Sequence, residues 1–113
     1  MLTIEKLKEY GANVEEGLAR CLNNEAFYLR LVLKTIDDNK VSVLENAINN
    51  KEYKQAFELA HSLKGVYGNL SLSPLFNIVC EITELLRANK DIDYSNYLEK
   101  LNLKFNELKA LSE

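Results

Sequence analysis

The residues best suited to chemistry in this chain surround its single histidine, His61. Lys64 follows three residues later, and two glycines, Gly65 and Gly68, come next in the same segment. A neutral imidazole offers a nucleophilic or basic nitrogen, and an ammonium group one helical turn away can neutralise an anion held there. These residue types and spacings therefore indicate a site where an anionic group is handled at an accessible imidazole.

The segment that carries His61 is predicted to be one helix, from about Glu52 to Leu70. At about 100° per residue, its apolar residues form a stripe that turns His61 toward solvent. The stripe consists of Ala56, Leu59, Ala60, Leu63, Tyr67 and Leu70. The outer face around His61 carries Lys54, Phe57, Lys64, Gly65 and Gly68, each within about 60° of it, and Glu58 lies at a similar angle.

Two glycines on the solvent side of a helix need an explanation, because each costs about 0.8–1 kcal/mol relative to alanine. Core packing is not expected on that face, so we interpret Gly65 and Gly68 as a gap for an approaching macromolecule. Phe57, an aromatic residue on an otherwise polar face, suits such docking. Three plainer interpretations stay open: Gly68 belongs to the helix end, Phe57 folds against a neighbouring helix, and Lys54 is a solvated charge.

Two other classes of function are compatible with the same histidine. A hydrolase or transferase would use His61 as a general base, together with a carboxylate or nucleophile that converges on it in a pocket. Glu58 is the local candidate, but an outward helix face offers no pocket. A helical docking module that works without phosphate would not need the histidine at all.

The other segments also have helical periodicity, and none alternates with the period of a strand. Two of the apolar faces expected to be buried are Val14, Leu18, Cys21 and Leu22 in the second segment, and Leu29, Val32, Leu33 and Ile36 in the third. The predicted helices cover residues 3–10, 14–22, 24–38, 40–49, 52–70, 74–89 and 94–111. Gly11 is expected to end the first helix, Asn13 and Asn24 to cap the next two, and Ser73 to cap the helix that Pro74 starts.

Short connections between amphipathic helices favour antiparallel neighbours. We therefore expect an all-α, antiparallel up-and-down four-helix bundle over residues 40–111, with additional short N-terminal helices within residues 1–38 packed on it. The two parts are expected to form a single domain over residues 1–113.

Composition excludes several classes of protein. The chain has 113 residues with a formal net charge of −3, and no basic stripe is present, so nucleic-acid binding is not expected. No apolar run reaches the roughly 18 residues of a membrane helix, and early charges such as Glu5 and Lys6 are unlike a signal peptide. We expect a cytoplasmic protein, with Cys21 and Cys80 as buried free thiols and no metal site.

The central segment resembles the His-x-x-Lys-Gly signature of histidine-containing phosphotransfer (HPt) domains, the carriers of multistep phosphorelays. It reads Ala60-His61-Ser62-Leu63-Lys64-Gly65-Val66-Tyr67-Gly68-Asn69-Leu70. The segments 13–20 and 28–31 resemble the amino-terminal helices of bacterial members, and 74–89 and 94–111 fit the last two helices. The resemblance implies a four-helix bundle whose exposed histidine takes a phosphoryl group from the phospho-aspartate of one receiver domain and passes it to another.

The resemblance also implies roles for individual residues. His61 would be the phosphoacceptor, Lys64 the cation that stabilises the phosphate, and Gly65 and Gly68 the gap for the receiver. Phe57 and Lys54 are candidates for receiver docking from their place on the same face.

The resemblance implies a phosphocarrier that is not an enzyme and has no ATP site of its own. It also implies no bound cofactor, because the magnesium ion belongs to the receiver. The expected partners are response-regulator receiver domains, with a hybrid sensor kinase as a further candidate. We expect no nucleic-acid or membrane partner and a monomeric state. Val66, Tyr67 and Ser71 stand where many members have small residues or glycine, which bears on the docking surface, although Tyr67 is expected to face the core.

Overall fold

The computed structural model describes all of residues 1–113, and its regular elements are all α-helices. They are α1 Ile4–Tyr10, α2 Val14–Arg20, α3 Glu25–Asp38, α4 Lys40–Asn49, α5 Tyr53–Asn69, α6 Ser73–Arg87 and α7 Ser95–Leu111. Every segment predicted to be helical is a helix, and no end differs from the expectation by more than two residues. No helix combines the length and the apolar character needed to cross a membrane.

Helices α4 to α7 form an antiparallel bundle in which α5 packs on α4 and α6, α6 packs on α7, and α7 returns to α4. Helices α1 and α3 pack on α7, and α2 bridges α1 and α3. The most extensive of these contacts is between α5 and α6. The predicted all-α bundle with added N-terminal helices is confirmed, and its most tightly joined pair of helices includes the one that carries His61.

A single apolar core fills the bundle, and the predicted stripe on α5 contributes to it. Ala56, Ala60, Leu63 and Tyr67 are buried there, while Leu59 is only half-buried. Burying each large side chain of such a core stabilises the fold by about 1.5–3 kcal/mol. This burial fixes the rotation of α5 about its axis and so holds the opposite face, with His61, toward solvent.

Several local signals act as expected. Gly11 ends α1 with φ +111°, and the Asn13 side chain accepts a hydrogen bond from the backbone N–H of Glu16 at 3.3 Å. The Asn24 side chain accepts one from the N–H of Phe27 at 3.0 Å. Such caps satisfy donors that the first turn of a helix leaves free.

The prediction that Ser73 caps α6 is wrong, because the turn between α5 and α6 is tighter than expected. Ser71 takes the left-handed conformation with φ +55°, and the N–H of Leu72 donates to the carbonyl of Tyr67 at 2.9 Å. The N–H of Ser71 donates to the carbonyl of Gly68 at 3.1 Å, which completes a Schellman motif. Leu72 thus occupies the cap position of α6, and Ser73 is already helical.

The predicted apolar faces of the N-terminal helices are partly wrong. In α3 the buried stripe is Tyr28, Val32 and Ile36, and Leu33 is 39% exposed rather than in the core. Leu22, expected on the buried face with Cys21, is 88% exposed because the chain has already left α2 and has φ +58° there. Cys80, expected to be buried, is half-buried, although both cysteines are free as predicted.

Candidate functional site

His61 lies in the middle of α5 with its side chain exposed, as the helical periodicity predicts. Its ring stacks on that of Phe57, one turn earlier, with the centroids 5.9 Å apart and the planes at 21°. The guanidinium carbon of Arg87, on α6, lies 5.1 Å from the Phe57 centroid, within the range of a cation–π contact. Phe57 is thus half-buried between His61 and Arg87. Its ring also limits the positions that the imidazole of His61 can take.

Lys64 lies one turn after His61, half-buried, and lines the same groove. The chain contains five salt bridges, and Lys64 takes part in none of them. Its ammonium group therefore has no carboxylate to neutralise it and remains free for an external anion.

The two glycines differ in their surroundings. A Cβ built on Gly65 would meet nothing within 4 Å, so open space lies above that residue. A Cβ built on Gly68 would lie 3.0 Å from Cε1 of Phe76 on α6. We expected no packing reason for Gly68, and this expectation is wrong. The absence of a side chain at Gly68 allows α5 to pack closely on Phe76 of α6.

An open groove of about 590 Å³ begins at His61 and continues over the C-terminal end of α5 to α2 and the start of α6. Its polar lining includes Glu16, Arg20, Lys64, Ser71, Ser73 and Asn77. Sequence reasoning named Lys64 for this site and noted Ser71 as bearing on the docking surface, but it missed Glu16, Arg20, Ser73 and Asn77 as lining residues. No feature of the sequence marks Arg20 as part of this site. Arg20 is 48 residues away from its partner Gly68 in the chain, and only tertiary packing brings the two together.

Arg20, the last residue of α2, is fixed at the groove by three contacts. Its guanidinium donates to the backbone carbonyl of Gly68 and, at 3.3 Å, to Oγ of Ser71. It also pairs with Glu16, with 2.6 Å between Nη2 and Oε1. Glu16 in turn accepts a hydrogen bond from the side chain of Asn13 at 3.1 Å. This network connects the last residue of α2 to the carbonyl end of α5, where the helix dipole favours a cation.

The remaining predicted residues lie outside this groove. Lys54 is exposed and belongs, with Phe57 and Arg87, to the surface on the other side of His61. Glu58 is exposed and does not line the groove with His61. The carboxylate in the groove is that of Glu16, which Arg20 and Asn13 already engage, so no free carboxylate converges on the imidazole as a general-base mechanism would need.

The deviations from the family pattern noted in the sequence have structural explanations. Tyr67 is fully buried as expected, and this burial raises the pKa of its phenol, which stays neutral at ordinary pH. Ser71 occupies the left-handed position at the end of α5, a position that commonly favours glycine. Val66 is 37% exposed beside the groove. No group of three or more His, Cys, Asp or Glu side chains is arranged to hold a metal ion.

The chain is thus an all-α bundle with one exposed histidine, His61, and an unpaired lysine, Lys64, one helical turn later. In a comparison with protein-family models, the chain matches the Hpt domain over residues 28–111. The match covers most of the chain, which therefore belongs to the Hpt domain family. Searches of curated proteins and of solved structures each found no match. The matched region starts within α3 and excludes α1 and α2.

Proposed function

We propose that this protein is a phosphocarrier of a multistep phosphorelay and that His61 is its phosphoacceptor. The observation that carries the proposal is the exposed imidazole at the centre of α5, followed one turn later by an unpaired lysine, in a chain of the Hpt domain family. A carrier of this kind holds the phosphoryl group between two receiver domains and is not an enzyme with its own ATP site.

The proposed transfer begins when the ring nitrogen of His61 that carries no proton donates its lone pair to the phosphorus of a receiver phospho-aspartate. The P–O bond to the aspartyl carboxylate breaks, and that carboxylate keeps the bonding electrons. Transfer to the second receiver is the reverse step, in which an aspartate oxygen bonds to phosphorus and the P–N bond returns its electrons to the imidazole. Both steps depend mainly on alignment and charge stabilisation.

In this proposal the neighbours of His61 supply that alignment and charge. Lys64 neutralises the phosphoryl oxygens, since its ammonium group has no internal partner. Gly65 leaves room for the receiver backbone to approach. Phe57 holds the imidazole by stacking, and Lys54 contributes a charge at the edge of the docking surface.

The receiver would bring the magnesium ion, and this chain would bind no cofactor of its own. The candidate partners are response-regulator receiver domains, which include the receiver of a hybrid sensor kinase. The monomeric state and the cytoplasmic location stay predictions from the sequence.

The proposal is tested by incubating the protein with a panel of magnesium-loaded, phosphorylated receiver domains and measuring its intact mass, beside the variant His61→Gln. We expect one acid-labile phosphoryl adduct on the wild type and none on the variant. His61 is exposed, so the variant should fold normally, which circular dichroism checks. An adduct on the variant would assign the acceptor elsewhere. A complex that forms with no adduct would instead support the phosphate-independent docking module.

Lys64 has a matched control in Lys54, a second lysine on the same face of α5. Lys64→Ala should slow transfer from the receiver to His61, while Lys54→Ala should change the rate much less. Equal effects would show that Lys64 acts only through the overall charge of the surface and not through the phosphoryl group.

A further inference from the structure

We propose that α2 is part of the receiver-docking surface and that Arg20 is a residue that determines which receiver binds, by pairing with a carboxylate of the receiver. This inference rests on the proposed function, because it assumes that a receiver docks at His61. It concerns a helix outside residues 28–111, the region that the Hpt domain model matches.

The first argument is position. The groove that begins at His61 is lined both by the C-terminal half of α5 and by Glu16 and Arg20 of α2. A receiver large enough to cover His61 and to approach Gly65 from outside extends over this groove. Arg20 is already fixed there by Gly68 and Ser71, so it needs little further ordering on binding.

The second argument is unused donor capacity. A guanidinium group has five N–H donors, and the contacts of Arg20 engage its two terminal nitrogens only. The side chain is 46% exposed. Arg20 therefore keeps donors for an external acceptor while its internal contacts hold it in place.

The third argument is charge. The charged side chains of the groove are Glu16, Arg20 and Lys64, which sum to −1 + 1 + 1 = +1, whereas the whole chain carries −3. A locally positive groove on an acidic protein favours an acidic partner surface and disfavours a basic one. The guanidinium fork pairs best with a carboxylate, so we assign a receiver Asp or Glu side chain as its acceptor.

Arg20 also stabilises the C-terminal end of α5, so the experiment must separate docking from folding. The variants are Arg20→Ala and Arg20→Glu, with Lys34→Ala as the matched control. Lys34 forms an i,i+4 pair with Asp38, at 3.3 Å, on a helix that does not line the groove. The first phosphoryl donor is a receiver that phosphorylates the wild type in the mass experiment. The second donor is phosphoramidate, which transfers its phosphoryl group to imidazole with release of ammonia. Phosphoramidate needs no docking surface.

We expect Arg20→Ala to raise the KM for the receiver about tenfold, the effect of losing one charge-assisted hydrogen bond. Arg20→Glu should raise the KM further, because this substitution places a carboxylate opposite the acidic side chain of the receiver. The rate with phosphoramidate should stay close to that of Lys34→Ala. The urea midpoint of Arg20→Ala should fall below that of Lys34→Ala, because the contacts with Gly68 and Ser71 are lost, but the protein should remain folded under the assay conditions. The KM of the wild type should also rise more steeply with salt than that of Arg20→Ala.

Two results would overturn the inference. If Arg20→Ala and Lys34→Ala give the same receiver KM, Arg20 does not contact the receiver. If the rates with the receiver and with phosphoramidate fall together, Arg20 acts only by holding α5. Failure of the proposed function is a different result, in which no receiver phosphorylates the wild-type chain at all.

Discussion

Gly65 and Gly68 belong to the same motif, but their surroundings in the structure differ, and alanine at each position tests whether their roles differ too. Gly65 is exposed in the interior of α5, and a Cβ there meets nothing within 4 Å. Alanine should therefore raise the free energy of unfolding by about 0.5–1 kcal/mol, through better helix propensity and a less flexible unfolded chain. The same methyl group should obstruct a receiver that packs against this surface.

The expected loss in transfer can be given a magnitude. An extra methyl group in a well-packed contact costs about 1–3 kcal/mol, which corresponds to about a 5- to 150-fold lower kcat/KM for the receiver. Gly65→Ala should thus be more stable than the wild type and at the same time a poorer carrier. Phosphorylation by phosphoramidate, which needs no docking, should stay within about twofold of the wild type.

Gly68→Ala should behave differently. Its Cβ would lie 3.0 Å from the Phe76 ring, so the ring must move, and the gain in helix propensity should be offset by overpacking. Combining Gly68→Ala with Phe76→Leu should relieve the contact and show a coupling of at least about 0.5 kcal/mol in a double-mutant cycle.

Urea unfolding and receiver kinetics, measured on the same protein preparations, decide between the two roles. If Gly65→Ala is more stable and still accepts phosphate at the wild-type rate, Gly65 is not a docking gap. If Gly65→Ala is less stable than the wild type, the space above α5 is not open, and the argument from its geometry fails as well.

Three further substitutions are predicted from the contacts of the N-terminal helices and of α5. Lys64→Ala should lower the rate of receiver transfer by about tenfold, the effect of losing one hydrogen bond to a charged group, and Lys54→Ala is its control. Tyr28→Phe should lower the free energy of unfolding by about 1–2 kcal/mol in urea titrations, because it leaves the buried carbonyl of Leu70 without its 2.7 Å hydrogen bond. Burial also raises the pKa of Tyr28 to about 12, so its contribution is complete below about pH 10 and is lost as the pH rises toward 12; Tyr28→Phe should flatten that part of the pH–stability profile. Gly17→Ala should destabilise by about 1–3 kcal/mol, since its Cβ would lie 2.7 Å from the Tyr28 ring, and an unchanged urea midpoint would refute that contact.

The placement of His61 could be predicted from the sequence because one helix and its periodicity decide it. The apolar stripe of α5 has to face the core, and the position of every other residue on that helix follows from a rotation of about 100° per residue. The same reasoning fails for Gly68. A helical wheel shows that Gly68 faces away from the apolar stripe of α5, but it cannot show that the Phe76 ring of α6 packs against it. It also fails for Leu33, because the face that α3 buries depends on where Tyr28 finds its acceptor on α5.

Arg20 shows a different limit of sequence reasoning. Nothing near it in the chain marks it as part of a site, since its pairing with Glu16 is the ordinary i,i+4 pair of a surface helix. Its importance comes from the Schellman turn at the end of α5, which leaves the Gly68 carbonyl and the Ser71 hydroxyl facing α2. That turn is itself encoded locally, but the approach of α2 to it is a result of packing around α1 and α3.

The architecture explains how a carrier can be both general and selective. The proposed phosphoryl transfer needs His61 and Lys64 at a fixed spacing, and one turn of a rigid helix packed on α6 provides that spacing with no other element. Any receiver that reaches the centre of α5 meets the same two groups, so they cannot distinguish one receiver from another. Discrimination has to come from residues around these two groups, and Arg20 of α2 and Arg87 of α6 lie on opposite sides of His61. Changes at these two arginines should therefore alter the choice of receiver without altering the phosphoryl transfer itself.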